Sequence, residues 1–200
     1  MNAPIQIAAT TFGIAMEGGF YAGRIRQADG EYALIVAPKA DGEHADGPWG
    51  KMKKLAAAMS FFDGRANTIA MAEGGSKLAK WALELSIGGF TDWYIPARDE
   101  LELCYRNLKP GTADNYCWLG DNPSSVPVGY SYFPDAPAQT EVTAFRVNGA
   151  EAFNEVWYWS STQSAGYSGS AWVQGFGYGR QSNTRKGGES RARAVRRVKI

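Results

Sequence analysis

Apolar and polar positions along the chain change period several times, and each period predicts an element. From Gly18 to Pro38, Phe20, Tyr21 and Ile25 lead into Asp29-Gly30, and Tyr32-Ala33-Leu34-Ile35-Val36 follows. An Asp-Gly pair between two apolar runs predicts a β-hairpin. Residues 39–50 are polar and rich in Gly and Asp, which predicts a loop. Met52, Leu55, Met59 and Phe62 recur at helical spacing and predict a short helix over 51–62, stopped by Asp63-Gly64. A stronger helix is predicted over about 76–85, capped by Ser76, with Leu78, Trp81, Ala82 and Leu85 as its apolar face. Gly88-Gly89 ends it and Asp92-Trp93-Tyr94-Ile95-Pro96 predicts a short strand. Another helix follows over about 98–108. Asp99 and Glu100 favour its first turn, and Pro110-Gly111 stops it.

The second half is patterned differently. Residues 111–140 are rich in Pro, Ser, Asp and Tyr without periodicity, and so long a loop in a compact domain is functional or an insertion. A helical turn is expected within 143–153, and Trp157-Tyr158-Trp159-Ser160-Ser161-Thr162 is a strand by composition. After a loop over 163–169, residues 171–177 predict a strand, 182–185 a polar turn and 191–198 a terminal strand. In the 171–177 strand Trp172, Gln174 and Phe176 share one face, while Val173, Gly175 and Gly177 share the other. The first face is expected to pack and the second to stay free for a partner. Two or three helices followed mostly by strands give an α+β class.

Composition narrows the function. Two hundred residues suit one sizeable domain, and seven Trp with ten Tyr are rich material for both packing and recognition. Twenty-one basic residues against twenty acidic ones argue against a dedicated nucleic-acid binder. The closing arginines alternate as Arg191-Ala192-Arg193-Ala194-Val195. That pattern predicts a strand with Ala192, Ala194 and Val198 facing inward and the arginines meeting carboxylates or solvent. Two Cys are too few for a disulfide scaffold. Cys104, among Leu101, Tyr105 and Leu108, reads as a buried thiol. Cys117 lies between aromatics, and a bridge between the two stays open, although a reduced protein made in the cytoplasm is simpler. The start of the chain lacks the pattern of a signal peptide, and no stretch approaches a membrane span, so no membrane insertion is expected.

No catalytic site, metal or cofactor is expected. His44 has no partner at ligand spacing, and Asp92, Asp99, Glu100 and Glu102 fit a strand end and helix-terminal electrostatics. Gly74-Gly75-Ser76 reads as a helix start rather than a phosphate cradle. Asp114, Asn115, Asp121 and Asn122 are the only weak candidates for calcium ligands.

Three segments in order resemble a known family. They are Gly88-Gly89-Phe90-Thr91-Asp92-Trp93-Tyr94-Ile95-Pro96-Ala97-Arg98-Asp99-Glu100-Leu101, then Trp157 to Thr162, then the frame closing on Arg191 to Arg197. They are similar to the conserved elements of the collagen-like-adhesin C-terminal domain family, over roughly residues 17–198. The frame from Ala171 to Arg197 resembles most the variable proteins of diversity-generating retroelements, matching each fixed position of their C-terminal repeat. The resemblance implies a C-type-lectin-like fold, related to that of formylglycine-generating enzymes, with two or three helices on small antiparallel sheets. The paired-cysteine chemistry of those enzymes does not carry over, because Cys104 and Cys117 sit elsewhere.

In such systems template adenines are miscopied, so AAC codons become any codon ending in C. The residues here at the family's exchangeable positions are all types such codons reach: Val173, Gly175, Gly177, Tyr178, Arg180, Ser182, Asn183, Thr184, Arg185, Gly187, Gly188 and Ser190. Trp172, Gln174, Gln181, Lys186 and Glu189, at fixed positions, are not. The resemblance therefore implies a ligand site at Val173, Gly175, Gly177, Tyr178, Arg180, Ser182, Asn183, Thr184, Arg185 and Ser190, within a variable region of about 163–197. It implies a receptor-binding adhesin of a phage or prophage tail, located in the virion tail. Its partners would be a host-cell surface receptor (protein or glycan) and other tail proteins. The alternative is a non-diversified structural or accessory tail protein. Residues 1–17 are expected to attach the domain or to form a homo-oligomer, with the domain proper at 18–200.

Overall fold

The apolar runs around residue 29 fold as the predicted hairpin, β2 (Gly19–Gln27) against β3 (Gly30–Val36). The tight turn falls on Ala28-Asp29, one residue earlier than the Asp-Gly pair suggests, and Gly30 opens the returning strand at φ +140°. The computed structural model describes residues 11–200. Residues 1–10 of the expected attachment segment lie outside the described residues. Its remainder packs on the domain: β1 (Ala15–Met16) pairs with β2, and Phe12 stacks on Tyr21 at 6.0 Å.

Residues 39–73 are built differently from the sequence expectation. Residues 39–50 are not a plain loop but a single helical turn, α1 (Lys39–Gly42), and a strand, β4 (Glu43–Pro48). The composition of β4 has no strand signal; it is extended because β9 (Glu189–Arg193) offers it a ladder. Residues 51–62 form turns, not a helix, with Met52 and Phe62 exposed. Backbone groups there are taken by distant side chains: Lys186 Nζ donates to the Lys53 carbonyl and Gln163 Oε1 accepts from the Leu55 N–H, both at 2.7 Å. Asp63 does not stop a helix but starts one, α2 (Gly64–Glu73), its carboxylate accepting from the Ala66 N–H at 3.1 Å. This helix escaped the pattern because it buries Asn67 and Thr68 beside Ala70 and Met71.

The other two helices are where the sequence places them. α3 (Lys77–Glu84) is capped by Ser76, and α4 (Arg98–Leu108) by Glu100, which reaches back to the Ala97 N–H at 2.8 Å. The expected strand over 92–96 reduces to one bridge, Tyr94 to Val195. Within 111–140 only β5 (Ser125–Val126) is regular, and Thr143–Phe145 forms one 3₁₀ turn. Then come β6 (Trp157–Gln163) and β7 (Ser170–Gly175). The predicted polar turn at 182–185 is instead a strand, β8 (Gln181–Arg185), paired to β7. The terminal arginine run divides into β9 and β10 (Val195–Lys199).

The strands form two sheets, ordered β1-β2-β3-β10 with β5 beside β2, and β4-β9-β6-β7-β8. All ladders are antiparallel except β6 with β9. The closing run therefore belongs to both sheets. It crosses over at Ala194, whose N–H donates to the Gly42 carbonyl and whose carbonyl accepts from Ala37. One core lies between α2, α3 and the second sheet, with Trp49, Met71, Leu78, Ile95, Trp159 and Ala192 buried in it. Another joins α4 to both sheets through Leu101, Tyr105, Leu108, Leu34, Tyr158 and Phe176. Burial of each Leu, Ile, Met or Phe among them contributes roughly 1.5–3 kcal/mol.

Candidate ligand-binding surface

The hairpin of β7 and β8 is held from beneath by residues at the fixed positions of the frame. Phe176 is fully buried, stacked on Phe153 at 4.1 Å and edge-on to Tyr158 and Tyr105. Gln174, also buried, donates through its amide to the Gly179 carbonyl at 2.8 Å. Lys186 is buried without a carboxylate. Its ammonium donates to Gln163 Oε1 and the Lys53 carbonyl, both at 2.7 Å, and lies 4.5 Å from the centre of the Trp49 ring. Burial brings its pKa down to about 8. Trp172 is half-buried, edge-on to Phe61 and beneath the Arg98 guanidinium. Glu189 is the exception among these polar frame residues, being exposed.

Gly179 is constrained both in backbone and in space. Its backbone sits at φ +73°, and a Cβ there would come within 2.5 Å of the Tyr105 ring. Gly175 and Gly177 have neither restriction to the same degree; a Cβ on Gly175 meets Trp157 at 3.3 Å and one on Gly177 meets Glu155 at 3.4 Å. Gly179→Ala is expected to destabilise the chain by about 1–2 kcal/mol from backbone strain alone, and urea unfolding of the two proteins checks it.

The expected site residues divide into three groups. Tyr178, Arg180, Thr184 and Arg185 are exposed, and Gly177, Ser182 and Asn183 are half-exposed. Val173, Gly175 and Ser190 are buried, which corrects the expectation of a wholly free face on β7. The alternation is real, but β7 is a central strand: Val173 joins the buried apolar cluster of Trp159, Ala171 and Ala192, and α4 packs on the sheet at β6 and β7. Val173 and Ser190 still border the surface. With Trp157, Ser182, Thr184 and Glu189 they line a shallow pocket of about 280 Å³. Exposure thus comes from the β7–β8 turn, β8 and the β8–β9 turn rather than from β7.

Tyr178 and Arg180 meet a residue the sequence reading passed over. The Tyr116 N–H, from the long loop, donates to the Tyr178 carbonyl at 2.7 Å. The Tyr116 ring lies 6.5 Å from that of Tyr178, and the Arg180 guanidinium is 5.1 Å from its centre. Trp157 closes the group, edge-on to Tyr178 at 6.3 Å. The Tyr-rich composition of the loop does not single out Tyr116.

The remaining candidates have structural partners. Arg191 and Arg193 meet Glu43, Arg196 meets Asp92 and Glu17, and Arg197 meets Asp63 and Glu100. Arg191 and Arg193 thus meet carboxylates as expected, but the in-and-out alternation fails at Arg193, which is fully buried together with Ala192 and Ala194 where the run passes from one sheet to the other. Asn115 and Asn122, the weak calcium candidates, spend their amides on the chain itself. Asn115 binds Tyr105 and the carbonyls of Phe133, Pro134 and Pro137; Asn122 binds Asp99, Glu102, Ser124 and Ser125. Both cysteines are free thiols, and burial pushes that of Cys104 far up. His44 packs edge-on to Trp81. Among the described residues no group of three or more His, Cys, Asp or Glu is placed to hold a metal ion, and no helix is long and apolar enough to cross a membrane.

Helices packed on two small, mostly antiparallel sheets give this chain an α+β, C-type-lectin-like fold. The chain belongs to the Lcl C-terminal domain family, that of collagen-like adhesins, whose model matches residues 49–196. This is an adhesin-like family of ligand-binding domains and not an enzyme family. No curated protein matches the chain.

Proposed function

We propose that this protein is the receptor-binding adhesin of a phage or prophage tail, and that a diversity-generating retroelement varies its binding surface. One observation carries the reading. Nine of the twelve positions holding residues reachable from a miscopied AAC codon are exposed or half-exposed, whereas Gln174, Phe176, Gln181 and Lys186 are buried beneath them, with Trp172 half-buried and Glu189 exposed. Substitution at exposed positions is expected to disturb the fold less than substitution at the buried ones. Tyr and Arg dominate binding hot spots, so Tyr178 and Arg180 are the energetic anchors, with Ser182, Asn183 and Thr184 as adaptable hydrogen-bonding groups. A rigid frame lowers the ordering cost on binding, and several copies on a tail raise a weak single-site affinity by avidity.

Tyr178→Ala and Arg180→Ala are each expected to weaken adsorption to host cells roughly 30-fold with unchanged thermal unfolding. Full binding by both variants would remove the assignment. The gene's neighbourhood tests the diversification. A reverse transcriptase gene and a near-copy repeat differing at adenines support it; their absence leaves a fixed adhesin or an accessory tail protein.

A further inference from the structure

The exposed exchangeable positions are too few for a stable complex with a folded protein. Nine such positions of the hairpin and the β8–β9 turn face solvent wholly or in part, whereas a standard protein–protein interface takes roughly 20–30 residues from each side. The rest of the contact must come from neighbouring surface that does not vary, and the structure shows which segment is fastened to the hairpin. The Tyr116 N–H bonds to Tyr178, and the Tyr116 ring takes the Arg180 guanidinium, so the loop and the display turn are one surface.

Two residues further on, Trp118 is 83% exposed and its backbone lies at φ +65°. That is the left-handed region, where a bulky L residue is strained. A Trp in such a conformation contributes nothing to the core and needs its surroundings to hold it. They do so on both sides. Asn115 is buried with every amide atom bonded. Arg106 donates to the Gly120 and Tyr130 carbonyls at 2.6 and 2.8 Å, and the Tyr132 N–H to the Leu119 carbonyl at 2.7 Å. The backbone that carries Tyr116, at 46% exposed, and Trp118 is therefore held in place before a partner arrives. Rigid aromatic anchors beside Ser, Asn, Thr and Gly positions make the chemistry of a protein-binding paratope.

We infer that the 111–140 loop is the constant half of the binding surface. Tyr116 and Trp118 pack on a folded protein receptor beside the variable hairpin, supplying affinity while the hairpin supplies discrimination. This rests on the hairpin being the ligand surface, and the experiment separates the two. In the full chain, codons 178, 180 and 182–185 are randomised to end in C, and binders are selected on lysozyme as a defined protein probe. Several unrelated clones then receive Tyr116→Ala, Trp118→Ala or Trp118→Phe.

The expected result is a loss of roughly 30-fold in lysozyme affinity with either alanine. Trp118→Phe should keep most of the affinity, and melting temperatures should not change. Clones that depend on their selected hairpin residues but bind equally well with Trp118→Ala overturn the constant half while sparing the hairpin. Clones indifferent to both sets remove the hairpin reading and this inference together. If a glycan array instead shows sugar binding by the parent chain that Trp118→Ala abolishes, while the lysozyme clones are unaffected, the protein partner is wrong.

Discussion

Replacing Arg193 by Met is expected to lower the stability of the domain by about 3–5 kcal/mol, seen as a fall in melting temperature of roughly 6–20 °C. The guanidinium is fully buried yet spends its donors well: Nε on the Ala37 carbonyl at 2.8 Å, and Nη1 and Nη2 on the carbonyl and carboxylate of Glu151 at 3.0 and 2.7 Å. Glu43 stands 3.7 Å away, and the guanidinium lies 5.1 Å from the centre of the Phe153 ring. Removal leaves the Glu151 carboxylate with only the Lys39 N–H and strands the Ala37 carbonyl. A double-mutant cycle with Glu151→Gln checks whether the loss belongs to this pair. Coupling below about 0.5 kcal/mol would mean the arginine acts through packing alone. The consequence reaches the binding surface, because Phe153 stacks on Phe176, the plug beneath the hairpin.

Glu100→Ala is expected to cost a similar amount, about 3–5 kcal/mol, although it lies far from the hairpin in sequence. Its carboxylate accepts from the Ala97 and Gly64 N–H groups and from the Tyr94 hydroxyl, and stands 3.6 Å from Arg197. One side chain thus joins the starts of α2 and α4 to the terminal strand. Burial pushes its pKa up to about 7 against the pull of Arg197. In the unfolded chain the carboxyl loses its proton near its ordinary pKa of about 4.3. Between that value and about 7 the folded state therefore binds more protons, and stability falls as pH rises through the window. Unfolding measured across it should show wild type losing stability relative to Glu100→Gln. An identical slope in both proteins would show that Glu100 is not the titrating group. Asp99 and Glu102, also raised by burial, act in the same direction and remain in both.

Elements governed by local chemistry were legible in the residues. α3 and α4 carry an apolar stripe together with a Ser cap or an acidic first turn, and β2–β3 has two apolar runs around a turn pair. Elements whose partners are remote were not. β4 is polar and Gly-rich, β8 reads as a turn, and α2 buries Asn67 and Thr68. Asn67 bonds to Ser60, and Thr68 to Gly64 and Ile95. Residues 51–62 show the converse, with helical spacing overridden because Lys186 and Gln163 hold the backbone in turns. The site was legible in the same uneven way. Tyr178 and Arg180 are exposed as the frame implied, Val173 and Gly175 are not, and Tyr116 carries no local signal at all.

By itself the sequence determined the α+β class and the family, because side-chain type and spacing encode those locally; the division of the C-terminal run into fixed and exchangeable positions is what the resemblance implies. Only the tertiary structure decided which exchangeable positions reach solvent and which loop stands beside them. Exposure is set by what covers a strand, and a cover comes from anywhere in the chain. The strand of Val173 lies between other strands and under helices, whereas the turn of Tyr178 lies at the hairpin's end against Tyr116.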